Sequence, residues 1–303
     1  MSTIPFPTAI PEGELNAGRA NAALAETAFG CPRDGLENRF VYIVISPRAR
    51  GLSIGVNMNP DKRCNFDCVY CEVNRLSLPK ETALDVDAME AELRDTLALV
   101  YSGRIGERPD YRLMPAELLA LRHVALSGDG EPTLCPNFAE AVHGVIHVRA
   151  SRGFPFFKIV LITNATGLDV PEVQEGLECF TRQDEIWAKL EAGTQAYMNR
   201  VNKAQVPLEK VLSNILLVAR RRPVVIQSLF PAIDNEAPPA AEILEYARRL
   251  QELKTAGAQI SLVQIYSATR PTPHSECGHL PLRTLSGIAR RVREVAGLKA
   301  EVY

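Results

Sequence analysis

The chain has 303 residues, 46% hydrophobic and 23% charged, and its 34 basic against 36 acidic side chains leave a formal net charge of −2. That balance is expected of a globular protein large enough for two average domains or one α/β barrel, and it excludes a disordered tail or a collagen-like repeat. It also excludes an overall positive field of the kind that binds nucleic acid regardless of sequence, though a local basic patch stays open.

The first 40 residues are rich in Pro, Gly, Ala and Asn and read as an N-terminal extension, with one short helix expected around Glu14 to Ala28. The opening segment, Met1 to Pro7, has no basic stretch followed by an apolar run, so a secretory leader is not expected. No window approaches the roughly 20 apolar residues that span a bilayer. The expected compartment is the reducing cytoplasm, where closely spaced cysteines are metal or cluster ligands more often than disulfides.

From Val41 onward, short β-branched runs alternate with longer segments of helical period. Strands are expected at Val41–Ile45, Ser53–Asn59, His123–Ser127, Lys158–Thr163, Glu185–Lys189, Val224–Leu229, Ser261–Tyr266 and Lys299–Tyr303. Helices are expected at Asp87–Tyr101, Phe138–Arg149, Pro171–Cys179, Leu208–Arg221, Ala240–Ala256 and Leu282–Val295. Asp87, with Glu90 three residues on, has the form of an N-terminal cap, and Gly257 stands where a C-terminal glycine ends a helix. Strand–helix units in series form either an open doubly wound sheet or a partial barrel, and periodicity does not separate the two. Either way, functional residues belong at the carboxyl edge of the sheet.

At that edge, after the first of these parallel strands, runs Arg63-Cys64-Asn65-Phe66-Asp67-Cys68-Val69-Tyr70-Cys71-Glu72. Three thiolates within eight residues can converge on one inorganic centre, and soft sulfur ligands select zinc or iron–sulfur chemistry. A structural zinc site normally closes its tetrahedron with a fourth ligand at nearby spacing, and no His or Cys follows Cys71 until His123. A four-iron cluster held by three cysteines keeps one iron open for a ligand that is not protein.

Cys64-x3-Cys68-x2-Cys71, with an aromatic residue directly before the third cysteine, resembles the signature of the radical S-adenosylmethionine (SAM) superfamily. The resemblance implies an α/β fold, a partial (β/α)6 TIM-like barrel over residues 41–303 behind the extension of residues 1–40. It implies a [4Fe–4S] cluster held by Cys64, Cys68 and Cys71, its open iron chelating the amino and carboxylate groups of SAM, with Tyr70 near the adenine. It implies reductive cleavage of SAM to a 5′-deoxyadenosyl radical, fed by an external donor of flavodoxin or ferredoxin type. The triad does not say which C–S bond breaks, so release of an aminocarboxypropyl group stays open. The alternative from another class is a non-catalytic iron–sulfur protein, an electron carrier or scaffold.

Leu126-Ser127-Gly128-Asp129-Gly130-Glu131-Pro132-Thr133 follows the next strand and is similar to the Gly-Gly-Glu-Pro element that contacts the methionine amino group in that superfamily. Asp129 stands where the usual pair has a glycine, which leaves open whether Gly128 or Gly130 makes the closest contact. Asn164, Lys189, Glu191 and Gln227 end later strands and are candidate SAM contacts by the same resemblance. With Val263-Gln264-Ile265-Tyr266-Ser267 and Arg270-Pro271, the chain resembles the subgroup of tRNA wybutosine tricycle-forming enzymes over residues 53 to 290. An RNA base, a peptide or a small molecule are all open as substrate.

The arginine groups Arg220–Arg222, Arg248–Arg249 and Arg290–Arg291 fall near predicted helix ends, where cations complement the helix dipole. Cys31, Cys135, Cys179 and Cys277 are scattered and are expected to be buried small hydrophobes. Trp187 reads as core, and His274 to His279 as a surface loop near the substrate entrance.

Overall fold

The computed structural model describes residues 36–151 and 153–303. The extension, its expected helix and Cys31 lie almost wholly outside the described residues. The elements follow in chain order: β1 (Val41–Ser46), β2 (Gly51–Asn57), α1 (Val86–Tyr101), β3 (Leu121–Ser127), α2 (Phe138–Ala150), β4 (Ile159–Thr163), α3 (Pro171–Glu178) and β5 (Glu185–Lys189). They continue with α4 (Gln195–Asn202), α5 (Leu208–Ala219), β6 (Val224–Leu229), β7 (Ala232–Ile233), α6 (Ala240–Thr255), β8 (Ile260–Tyr266), β9 (Cys277–Gly278), α7 (Leu282–Ala296) and β10 (Ala300–Val302).

One eight-stranded sheet carries the fold, in the order β1-β2-β3-β4-β5-β6-β8-β10. All neighbours pair in parallel except the β1–β2 hairpin, and β10, the strand expected at Lys299–Tyr303, extends the six-stranded parallel run to seven. β7 and β9 form a separate two-stranded ribbon that periodicity did not reveal, because two residues carry no period. The sheet curls: Arg50, in the turn between β1 and β2, lies 3.5 Å from Glu301 of β10 at the far end of the strand order. The edge strands β1 and β10 do not hydrogen-bond, and the barrel is partial.

The period-2 alternation of each strand divides the interior into two. Residues such as Leu52, Ile54, Val124, Leu126, Ile159, Leu161, Ile186 and Ile226 face the helices and form the main core. α1 closes one side of it with Met89, Leu93 and Leu97, all fully buried, at 4-residue spacing. Each such side chain contributes roughly 1.5–3 kcal/mol on leaving water. The intervening positions face the concave side, where Val160, Trp187 and Val225, with Ile162 and Leu262, make a small apolar patch of their own. Trp187 is buried, as expected, but it packs in this inner patch and also lines the central cavity.

Local signals place the ends. Asp85, not Asp87, caps α1, its carboxylate accepting from Ala88 N at 3.0 Å, because the helix begins at Val86. Gly257 follows α6 with φ +97°, the left-handed conformation that favours glycine at that position. A buried pair locks the outer layer: Arg149 Nη1 of α2 lies 2.7 Å from Asp184 Oδ1, just before β5, and the same oxygen accepts from Ile159 N. Burial disfavours the charged Asp184, but Arg149 and the donors from Ile159 and Thr181 outweigh it and hold the carboxyl below its ordinary range.

Candidate active site

All the candidate residues named from the sequence line one cavity of about 420 Å³ on the concave face, which extends from the carboxyl ends of the strands to Ser53 and His123 near the amino ends of β2 and β3. That volume lies within the range of small-molecule sites. The cavity runs from the cysteine loop and the glycine turn after β3, past the ends of β4, β5 and β6, to Tyr266 and the β1–β2 turn.

The cysteine loop is tied down from several sides. Asp67 N and Val69 N donate to the carbonyls of Asn202 and Val201 at the end of α4, and Thr272 Oγ1 donates to Val69 O at 2.9 Å. Lys62, before the first cysteine, reaches across the loop to Asn74 O, Ser77 O and Ser77 Oγ, each at 2.7 Å. Asn65 bonds Asn164 and Thr166 beyond β4. A loop held this way presents its thiols in fixed directions.

The surroundings of those thiols bear on whether a cluster fits. Burial, above all, pushes Cys68 up to about 12, with Glu191 adding to it and Lys189 opposing. Cys64 is raised by burial and by Glu131. Both are therefore thiols at neutral pH and lose their protons when they ligate a metal. Arg75 stands beside Cys64 and Cys71; burial works against its charge, but the two sulfurs outweigh that and raise it. Lys189 behaves alike: burial lowers it, while Tyr266, Glu191, Cys68 and Cys71 together raise it. Three soft donors from one loop, two fixed cations beside them and a cavity against them suit an anionic iron–sulfur cluster with an open side. Among the described residues no three His, Cys, Asp or Glu side chains converge on a single-ion site.

Gly128 and Gly130 are required by close approach. A Cβ on Gly128, which has φ +131°, would fall 2.1 Å from Asn57 Oδ1, and one on Gly130 would fall 2.0 Å from Arg63 O. The intervening Asp129 departs from a glycine pair for a visible reason. Its buried carboxylate accepts from Asn57 Nδ2 at 2.8 Å, while Asp129 N donates to Asn57 Oδ1, so β2 and β3 are clasped at their carboxyl ends.

Glu131 is buried and heavily used by the protein itself. Oε1 accepts from Thr133 N, Thr133 Oγ1 and Thr163 Oγ1, and Oε2 accepts from Asn164 N at 2.7 Å. Burial raises its carboxyl while those four donors oppose the shift. The side chain ties the glycine turn to the end of β4, and Oε2 keeps a lone pair for a further donor.

At the end of β5, Tyr70 OH donates to Glu191 Oε1 at 2.8 Å, Asn202 Nδ2 donates to Glu191 Oε2 at 3.2 Å, and Lys189 Nζ lies 4.0 Å from Glu191 and 4.6 Å from the Tyr70 ring centroid. Asn202 also donates to Cys68 Sγ at 3.4 Å. Gln227 Nε2 donates to Gln264 Oε1 at 3.3 Å. Sequence reading did not single out Asn202, which ends α4, or Arg75, Asn57 and Lys62.

Other expectations are corrected here. Cys135 is buried, but Cys179 is exposed at the end of α3, beside His143 Nε2, and Cys277 is half-buried on β9. Arg220 does cap α5, and Arg222 donates to the carbonyls of Thr181 and Asp184. Arg248, Arg249, Arg290 and Arg291 stand within α6 and α7, not at their ends, and pair with Glu245, Glu252 and Glu294 along the same helices. Among the described residues no helix is long and apolar enough to cross a membrane.

No protein-family model matches the chain. A UPF0026 protein of Helicobacter pylori is 26% identical over 182 residues, 58% of this chain and 50% of that protein. A UPF0026 protein of Synechocystis is 28% identical over 182 residues, 58% of this chain and 57% of that one. The chain thus spans about half the length of the curated relatives it matches. Among solved structures, TYW1 with a lysine–pyruvate adduct bound aligns over 81% of this chain and 74% of that one, with a TM-score of 0.51 at 17% identity. SuiB of Streptococcus suis bound to S-adenosylmethionine aligns over 81% and 49%, with a TM-score of 0.57 at 15% identity. The likeness is one of fold: a mixed α/β architecture built on one mostly parallel sheet.

Proposed function

We propose that the protein is a radical SAM enzyme. In this reading Cys64, Cys68 and Cys71 hold a [4Fe–4S] cluster, and SAM occupies the cavity beside them. The observation that carries it is the meeting of the three cysteines, the Gly128–Glu131 turn and the polar ends of β4, β5 and β6 on one cavity of about 420 Å³. The likeness of fold to SuiB, solved with SAM bound, supports it. The chemistry that such a pair supplies when bound is one-electron cleavage of a C–S bond, leaving methionine and a 5′-deoxyadenosyl radical that takes hydrogen from a substrate.

The residues of the chain divide the remaining work. Arg75 and Lys189 place positive charge beside the thiolates. Glu131 Oε2 and the turn backbone accept from the SAM ammonium, and Gly128 and Gly130 let that turn pack closely against Asn57 and Arg63. Asn164, Lys189, Glu191 and Gln227 provide polar contacts for the ribose and carboxylate, and Tyr70 offers its ring near the adenine. The buried inner patch around Trp187 keeps water from a reactive carbon radical. An external donor of flavodoxin or ferredoxin type feeds the electron. Arg248 and Arg249 pair with Glu245 and Glu252, and Arg290 and Arg291 share Glu294, so these groups present no strong basic patch to an RNA backbone, which favours a small molecule or peptide as substrate.

The test is electron paramagnetic resonance of the anaerobically reconstituted, reduced protein with and without SAM. A [4Fe–4S] signal that shifts on SAM addition is expected. A protein that binds iron but shows no response to SAM contradicts the reading and favours the electron-carrier alternative.

A further inference from the structure

The charged side chains that line the cavity are engaged by other groups of the protein, with one exception among the described residues. Glu72 pairs with Arg270 at 3.1 Å, Glu191 with Lys189, Asp129 with Asn57, and Glu131 with Thr133, Thr163 and Asn164. Arg75 lies against the cysteine sulfurs and donates to Phe66 O. Arg48, in the β1–β2 turn, is the cavity cation that has no acidic or hydrogen-bonding partner among the described residues. Its Nε is buried and unpaired. An unmet buried donor costs about 1–3 kcal/mol, so its retention at a cavity wall points to a partner from beyond the described residues.

The geometry leaves the guanidinium ready for one. Its carbon lies 4.2 Å from the centroid of the Tyr266 ring, and a stacked guanidinium keeps its N–H edges clear of the ring. Two further polar groups share that part of the cavity. Ser53 of β2 and His123 of β3 are register partners on the concave face, 6% and 2% exposed. Neither the Ser53 hydroxyl nor either His123 ring nitrogen has a hydrogen-bond partner among the described residues. Burial, then Lys158 and Arg48, hold His123 down at about 3, so at neutral pH it is an uncharged ring that donates one N–H.

We propose that Arg48, with His123 and Ser53 beside it, binds an oxyanion of the substrate, a carboxylate or a phosphate. The proposal rests on the reading that substrate enters this cavity. It gives the substrate class as a small anionic molecule or one with an anionic end, since an Arg fork meets two oxygens of either group.

The experiment titrates the reconstituted protein with inorganic phosphate and, separately, acetate, by calorimetry and by NMR of the histidine rings, in wild type, Arg48→Gln and Arg48→Lys. Saturable binding of at least one anion is expected, with His123 ring signals that move on binding. Arg48→Gln is expected to weaken binding about tenfold or more and Arg48→Lys to retain part of it. The tighter anion identifies the group as phosphate or carboxylate. No saturable binding of either across the millimolar range, or equal binding by Arg48→Gln, overturns the proposal. Thermal melting checks each variant, and Arg48→Lys keeps the test decisive if Arg48→Gln is unstable. SAM cleavage is followed on the same wild-type preparation: anion binding without cleavage overturns the radical reading alone, and cleavage without anion binding overturns the anion site alone.

Discussion

The Tyr70 hydroxyl donates a 2.8 Å hydrogen bond to Glu191 Oε1, joining the cysteine loop to the end of β5. Both side chains are buried, so the bond also satisfies a carboxylate that burial would otherwise leave short of donors. Tyr70→Phe keeps the ring under Lys189 and removes the donor. The expected result is a loss of about 1–3 kcal/mol in denaturant unfolding with iron content unchanged. Loss of iron in step with the bond would mean that the tyrosine orients the thiols as well.

Cys68→Ala is expected to abolish iron binding while leaving the fold largely intact, because the cysteine lies in a loop outside the strands and helices. Cys179→Ala, at the exposed end of α3, is expected to retain the full iron load. Iron and sulfide analysis with thermal melting of both variants checks this, and a Cys68→Ala protein with full iron contradicts the assignment.

Gly130→Ala brings a methyl group to 2.0 Å from the Arg63 carbonyl, one residue before Cys64. Backbone cannot move aside as a flexible side chain can, so the cysteine loop shifts, and a loss of roughly 1–3 kcal/mol with impaired iron uptake is expected. Gly287→Ala is the contrast. It lies in α7 with open space around it, and helix propensity predicts a gain of up to about 1 kcal/mol. Matching losses in the two variants would refute the close-approach argument.

Acid stability depends on His123. Its folded value of about 3 lies below the ordinary 6.5, so the unfolded chain takes up the proton first. The stability from keeping the ring neutral is complete above about pH 6.5 and is lost as pH falls toward 3, on the order of 1.4 kcal/mol per pH unit. The Asp184 carboxyl, held low with Arg149, contributes in the same direction only below its unfolded value near 3.9. Between pH 6.5 and about 4 the difference between wild type and His123→Asn therefore isolates the histidine. Melting across that range is expected to show a shallower acid loss in the variant, and parallel curves would contradict it.

The strands were legible because a buried parallel sheet demands β-branched runs, and β5 and β6 match their predicted ends at Glu185, Lys189, Val224 and Leu229. The cysteine triad was legible for a similar reason, since its residues are close along the chain. The inner wiring was not. Glu131 meets Thr163 and Asn164 across more than thirty residues, and Asn202 meets Cys68 across more than a hundred, distances at which no local pattern survives. Asp129 looked like a departure from a glycine pair until its partner Asn57 was visible. Arg48 carried no sequence signal, because its role follows from the partner it lacks.

The most direct test of the account is mass spectrometry of SAM products from the anaerobically reconstituted, chemically reduced protein. The account predicts 5′-deoxyadenosine and methionine, absent when Cys64, Cys68 or Cys71 is replaced by alanine. Methylthioadenosine would mean that the other C–S bond breaks. A fully iron-loaded protein that leaves SAM intact with every reductant tried would contradict the radical SAM reading itself.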